Sequence, residues 1–155
     1  MSQQVQIGNN IYTIPDPKQN PSWGEDLTNW IIGITNAVSN LFGANDLLKT
    51  TANISNAQLT PLSINGLKFN VAEVVQFSVT YYIKREYDSG TSVIVESGVI
   101  EGYYDGSECY ISSERTGNSG IDIDITSSGQ FTYTSTDLID HVSSIIYFKA
   151  NTIDL

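Results

Sequence analysis

Val75-Gln-Phe-Ser-Val-Thr-Tyr-Tyr-Ile-Lys84 decides the fold class. Val75, Phe77, Val79, Tyr81 and Ile83 alternate with Gln76, Ser78, Thr80, Tyr82 and Lys84. A period of two puts successive side chains on opposite faces of a strand, so one face packs on a core and the other meets solvent. Turn signals recur on either side. Asn65-Gly66 lies between Leu62-Ser-Ile64 and Leu67-Lys-Phe69 and reads as a hairpin. Tyr87-Asp-Ser-Gly90, Asp105-Gly106, Gly117-Asn-Ser-Gly120 and Ser127-Ser-Gly129 punctuate the rest. They separate strand-like runs at Val93–Tyr104, Glu108–Glu114, Ile121–Ile125, Phe131–Ser135 and Ser144–Ile153. Roughly seven or eight short strands at such spacing predict a mainly β chain whose residues 59–155 form an antiparallel, jelly-roll-like β-sandwich head.

The first 58 residues have a different character. Residues 1–21 are polar and rich in Asn, Gln and Pro, with Pro15, Pro17 and Pro21 excluding helix. Ile11, Tyr12 and Ile14 suit an extended docking arm laid on a partner by strand addition or groove docking. Residues 22–43 then read as an amphipathic helix. Ser22-Trp-Gly-Glu25 matches a capping box, Asp26 complements the helix dipole, and Gly43 fits a terminator. Leu27, Trp30, Ile31, Ile34, Val38 and Leu41 recur at spacings of three and four, flanked by Trp23 and Phe42. That is more apolar surface than one packed face needs, so the helix is expected to bury it between subunits. Residues 44–58 read as a polar connector with a helical turn around Ala44–Lys49.

The chain carries seventeen acidic and seven basic residues, a formal charge of −10. Nucleic-acid binding needs cations along the phosphates, and an anionic membrane would repel this surface, so neither partner is expected. Hydrophobic residues make up 40% of the chain, enough for one real core. The N-terminus has neither a basic nor an apolar segment of the signal-peptide kind, and no apolar run is long enough to cross a bilayer. A single cysteine, Cys109, excludes an intrachain disulfide.

The search for chemistry finds little. His141, the only histidine, has no evident triad partners. Cys109 reads as a buried small hydrophobe, without the cationic neighbours of a nucleophilic thiol. Asp122 and Asp124 share a strand face, with Glu101, Asp105 and Glu108 near in sequence, but no calcium loop is present. They read as a solvated edge. No catalytic residue, metal or cofactor is expected. Tyr81-Tyr82 and Tyr103-Tyr104 offer stacking platforms, and a glycan-binding module using Tyr103 and Tyr104 is the reading of another class.

Two groups of residues resemble proteins of tailed bacteriophages. Tyr12-Thr-Ile-Pro15, Ser22-Trp-Gly24 and Leu27-Thr28-x-Trp30 resemble a segment that recurs in their structural proteins. Gly102-Tyr-Tyr-Asp-Gly-Ser, Ser128-Gly129-Gln130-Phe-Thr-Tyr133-Thr-Ser135 and Phe148-Lys149-Ala150 are similar to a C-terminal β-module of such proteins, departing from it at Cys109. The resemblance implies a virion component: a head fibre, capsid decoration or fibre-like appendage, frequently a homotrimer. Its partners would be its own copies and a major capsid or other virion protein, with a host-surface glycan the partner of the glycan-binding reading. It implies assembly in host cytoplasm, display on the virion exterior and no catalytic residues.

Overall fold

The computed structural model describes residues 3–7, 10–14, 27, 29–35 and 45–155. The chain divides into two compact units, Met1–Gly43 and Ala44–Leu155.

In the first unit, β1 (Gln3–Ile7) pairs antiparallel with β2 (Asn10–Ile14), with Val5 opposite Tyr12 and Gln3 opposite Ile14. The arm is thus extended as expected over these residues, but folded back on itself. Residues 27 and 29–35 are helical, within the span expected for the helix.

The second unit is a β-sandwich of eight strands. They are β3 (Leu47–Asn53), β4 (Leu62–Lys68), β5 (Val74–Tyr87), β6 (Ser92–Tyr104), β7 (Cys109–Gly117), β8 (Ile121–Ile125), β9 (Gln130–Ser135) and β10 (Ser143–Asp154). One sheet has the order β3-β10-β5-β6-β7 and the other β4-β9-β8. Consecutive strands β3 and β4, and β7 and β8, form the corresponding edges of the two sheets. Each sheet therefore hands the chain to the other at both sides of the sandwich, and all ladders are antiparallel.

The alternation of β5 does what the sequence requires. Phe77, Val79, Tyr81 and Ile83 are buried, against Ile100 of β6 and Ile146, Phe148 and Ala150 of β10. Ile64, Leu67, Ile121, Phe131 and Tyr133 of the smaller sheet complete the core. Phe69 stacks on Phe77 at 4.8 Å between centroids, and Phe131 meets both edge-on at 5.8 and 5.6 Å. Such arrangements add to area burial because the ring edge is positive and the face negative.

Two glycines on the inner face of β6 make room for this packing. Gly98 lies opposite Tyr81, and Gly102 opposite Phe77. A Cβ at Gly98 would sit 2.8 Å from the Tyr81 hydroxyl, and one at Gly102 would sit 2.5 Å from Phe77 Cζ. The large rings of β5 lie over the bare backbone of its neighbour.

Two sequence expectations are corrected. Residues 62–68 are one strand, not a hairpin around Asn65-Gly66. β4 pairs Ser63 with Thr132 and Lys68 with Gln130, so the register shifts between them and the chain bulges. Gly66 takes φ +78° there. The bulge lets Ile64 and Leu67, three residues apart, both point into the core. The Gln130 side-chain amide closes it, donating to the carbonyls of Ile64 and Leu67 at 3.1 Å each. The second correction concerns 44–58, which is no mere connector. Its residues 47–53 are β3, whose Asn53, Ala52, Thr51 and Thr50 pair with Ile145 to Phe148 of β10, so no helical turn occupies Leu47–Lys49.

Replacing Gly102 with valine should destabilise the sandwich by about 1–3 kcal/mol, because Phe77 must leave its rotamer and the Tyr110 carbonyl, also 2.5 Å from the new Cβ, must shift. Urea unfolding followed by far-UV circular dichroism measures it, since both tryptophans lie outside the sandwich. A loss under ~0.5 kcal/mol would show that the ring can move aside freely.

Candidate functional site

Outward-facing residues of the five-stranded sheet align in rows across the strands. One row runs Ile153 (β10), Gln76 (β5), Tyr103 (β6) and Tyr110 (β7). The next runs Asn151, Ser78, Glu101 and Ser112. Tyr103 and Tyr110 stack at 5.3 Å with 22° between their planes, and both are exposed. Around them lies a groove of about 420 Å³ lined by Gln76, Glu101, Tyr103, Tyr110, Ile111 and Ser112. A second groove of about 440 Å³ follows along the same strands, past Thr80, Ser97, Val99, Glu114, Arg115 and Thr116. Beyond it, Tyr82 of β5 meets Tyr147 of β10 at 6.0 Å.

The Tyr pairing differs from the sequence expectation. Tyr103 and Tyr104 are adjacent in a strand and so face opposite ways, as do Tyr81 and Tyr82. Tyr104 pairs across with Cys109, while Tyr103 finds Tyr110. The Asp105-Gly106 turn sets this register, and counting outward from it would have revealed the pair. The Asp105 carboxylate accepts from the backbone N–H of Glu108 and Ser107 at 2.9 and 2.8 Å, which holds its pKa below the ordinary value. Its charge and that of Glu108 raise the Tyr110 phenol, so the potential around the stacked pair is negative.

A buried polar network lies at one end of the sandwich interior, and sequence reading missed it. Arg85 is fully buried. Its Nε donates to Ser144 Oγ at 3.0 Å; Nη1 donates to the Ser119 carbonyl at 2.8 Å and Thr136 Oγ1 at 3.2 Å. Nη2 donates to Asn56 Oδ1 and the Thr136 carbonyl, both at 2.8 Å. All five guanidinium N–H groups are satisfied. Burial lowers the Arg85 pKa, and the charge of Asp137 opposes this. Asp137 accepts from Asn56 Nδ2 at 2.7 Å.

Glu96 is the buried counter-charge. Its Oε1 accepts from the Tyr81 hydroxyl at 2.8 Å, and its Oε2 from Ser119 N–H and Oγ–H at 2.7 and 2.9 Å. Ser119 thus bridges the two charges, its carbonyl facing Arg85 and its N–H facing Glu96. Burial first, then the hydrogen bond to Glu96 and its charge, raise the Tyr81 phenol far above its ordinary 10.0.

His141 Nε2 lies 2.8 Å from Ser144 Oγ, so a serine and a histidine do meet. That hydroxyl oxygen also accepts from Arg85, and Ser144 is buried. The contact extends the Arg85 network and presents no nucleophile to solvent. Cys109 is half-buried, and burial raises its thiol pKa, which disfavours the reactive thiolate. Asp122 and Asp124 face outward from the smaller sheet, whereas Glu101 faces outward from the larger one, so the acidic residues do not converge. Asp122 instead lies 3.6 Å from Arg115. Among the described residues, no three His, Cys, Asp or Glu side chains come together as a metal site.

Of the expected docking residues, Leu27, Trp30 and Ile34 are half-buried, while Ile31 is 51% exposed, as is its neighbour Ile32. The Trp30 indole Nε1 is buried with no hydrogen-bond partner. Ile11, Tyr12 and Ile14 lie on β2, but their side chains are outside the described residues, as are Trp23, Val38 and Leu41 and the capping box Ser22–Glu25.

No family model matches the sequence. No curated protein matches it. Among solved structures the chain is similar to the tailspike protein of Acinetobacter phage vB_ApiP_P1, with a TM-score of 0.40 and 14% identity over 68% of this chain. The match covers 22% of the tailspike, so this chain spans less than a quarter of that protein's length.

Arg85→Ala should cost about 3–5 kcal/mol in urea unfolding, since it leaves Glu96 buried without its counter-charge. Arg85→Met combined with Glu96→Gln should cost much less than the sum of the two single changes. Additive losses would mean that the charges do not communicate through Ser119.

Tyr81 also gives a pH prediction. Its folded pKa is raised, so its stabilising contribution is complete below the unfolded value of about 10 and is lost as pH rises. Stability should fall above pH ~10, and Tyr81→Phe should flatten that fall. Chemical unfolding at pH 8 and above decides the matter, and an unchanged slope would contradict it.

Proposed function

We propose that this chain is a non-enzymatic structural protein of a tailed-phage virion: a homotrimeric head fibre or capsid decoration protein on the particle exterior. Its N-terminal arm and helix dock it and join the subunits, and the β-sandwich is the displayed head. One observation carries this reading. Among the described residues the sandwich core is made of the sandwich's own side chains, whereas the helical residues keep Ile31 and Ile32 half-exposed. Apolar side chains left open on a short helix are satisfied most simply by copies of the same helix.

The sequence resemblance supplies the virion setting. The surplus of acidic residues suits a protein displayed in many copies, where like charge opposes aggregation. Ser144 and Arg85 are buried and bonded to each other, and the half-buried His141 meets that same serine, which supports a non-enzymatic role. Placement on the collar, tail or baseplate is the alternative within the same class.

Sedimentation of the full chain should give three times the monomer mass. Ile31→Asp should convert it to monomer while leaving the β-sheet circular dichroism unchanged, because Ile31 is exposed in the single chain. A monomer at every concentration, or a trimer indifferent to Ile31→Asp, would remove the helix from the assembly. Immunogold labelling of purified virions with an antibody to the head should decorate the capsid. Labelling confined to the tail would select the alternative.

A further inference from the structure

We propose that the outer face of β5, β6 and β7 binds an extended, uncharged glycan, with Tyr103 and Tyr110 as the stacking surface and Gln76, Glu101 and Ser112 as hydrogen-bond partners. The proposal does not depend on the oligomeric state or on the virion reading.

Three polar side chains lining the first groove leave their hydrogen-bonding capacity unused within the chain. Among the described residues, Gln76, Glu101 and Ser112 make no side-chain hydrogen bond or ion pair, although other polar groups of the sandwich are tied into networks. They converge on the same groove as two exposed, mutually stacked rings. Free donors and acceptors set beside aromatic surface are the composition of a small-molecule site. β7 is an edge strand, so one face of the Tyr110 ring is not covered by a neighbouring strand.

Charge and shape then select the ligand. A pyranose presents an apolar C–H face and a rim of hydroxyls that both donate and accept. The ring pair meets the first; the amide, carboxylate and hydroxyl meet the second. Glu101 in the first groove, with Asp105 and Glu108 at the adjoining turn and no cation in that groove's lining, would repel phosphate, sulfate or uronate groups there. The sugar stacked on the ring pair is therefore neutral. Farther along the face, Lys84, Lys149 and the Arg115 of the second groove offset Glu114. The second groove extends the surface, and Tyr103 lies six residues along β6 from Ser97, the partner of Tyr82. That is about 20 Å at ~3.3 Å per residue, longer than a single sugar.

The full chain should be applied to a glycan array carrying both neutral and carboxylate- or sulfate-bearing oligosaccharides, and the strongest neutral binder then titrated calorimetrically. Retention of neutral oligosaccharides is expected, unaffected by EDTA. Tyr103→Ala and Tyr110→Ala should each weaken binding about tenfold, the loss of one ring's contact. Tyr110→Phe should bind like the parent, and so should Val93→Thr at the far end of the face. All of these side chains are exposed, and unchanged thermal unfolding midpoints would confirm that the variants fold. Four results would overturn the proposal: no glycan retained, retention only of charged glycans, undiminished binding by Tyr110→Ala, or a changed sedimentation mass for Tyr110→Ala. The last would reassign the face to contact between copies of the chain.

Discussion

The fully buried guanidinium of Arg85 is the constraint around which one end of the sandwich is organised. An open end of a two-sheet sandwich is closed by loops, and loops bring backbone carbonyls that apolar side chains cannot satisfy. Arg85 supplies five donors in a rigid fork, and they meet oxygens from four parts of the chain: Asn56, Ser119, Thr136 (twice) and Ser144. One residue of β5 thereby fixes the segments after β3, after β7, after β9 and at the start of β10. Glu96, reached through Ser119, balances the charge and holds the Tyr81 hydroxyl. Buried charges of this kind add little net stability compared with a well-packed apolar set, but removing one partner is severe. The network therefore specifies where the loops go more than it strengthens the core.

The same strand alternation that builds the core also builds the outer face. On the inner side of β6, Gly98 and Gly102 yield space to Tyr81 and Phe77. On the outer side, Val99, Glu101 and Tyr103 occupy the alternate positions and meet solvent. The rings that fill the space left by these glycines thus come from β5, and the exposed stacked pair comes from β6 and β7. Core packing and surface chemistry are carried by different residues of the same hairpins. Changes on the outer face can therefore be made without disturbing the interior.

Much of this architecture is legible in the sequence. The period of two over Val75–Lys84, and the turns at Asp88–Gly90, Asp105-Gly106, Gly117–Gly120 and Ser127–Gly129, locate most of the β5–β10 boundaries to within a few residues, because both signals are local. What was illegible depends on distant partners. Asn65-Gly66 supplies the same permissive backbone to a bulge as to a hairpin, and the choice is made by Gln130, over sixty residues away. β3 is Leu-Leu-Lys-Thr-Thr-Ala-Asn, an edge strand with one buried residue, and it is recruited by β10 rather than by any alternation of its own. Arg85 has the parity of Ile83 and Tyr81, so its inward direction was implicit in the pattern, yet its charge argued for solvent. The Tyr103–Tyr110 pair needed the register of a hairpin, not the adjacency of two tyrosines.

The acidity of the chain connects its two proposed roles. Identical copies of a −10 molecule repel one another, so subunits can join only where local charge is low and apolar burial is large. Residues 29–35, Asn-Trp-Ile-Ile-Gly-Ile-Thr, contain no charged side chain, and they carry Ile31 and Ile32 half-exposed. The sandwich, by contrast, places acidic groups around its most prominent aromatic pair. A surface of that sign resists contact with a second copy while leaving ring faces and hydroxyl-bearing side chains open to an uncharged ligand, for which the repulsion is absent. The two proposals, self-association through the N-terminal unit and ligand contact on the head, are thus compatible with one distribution of charge.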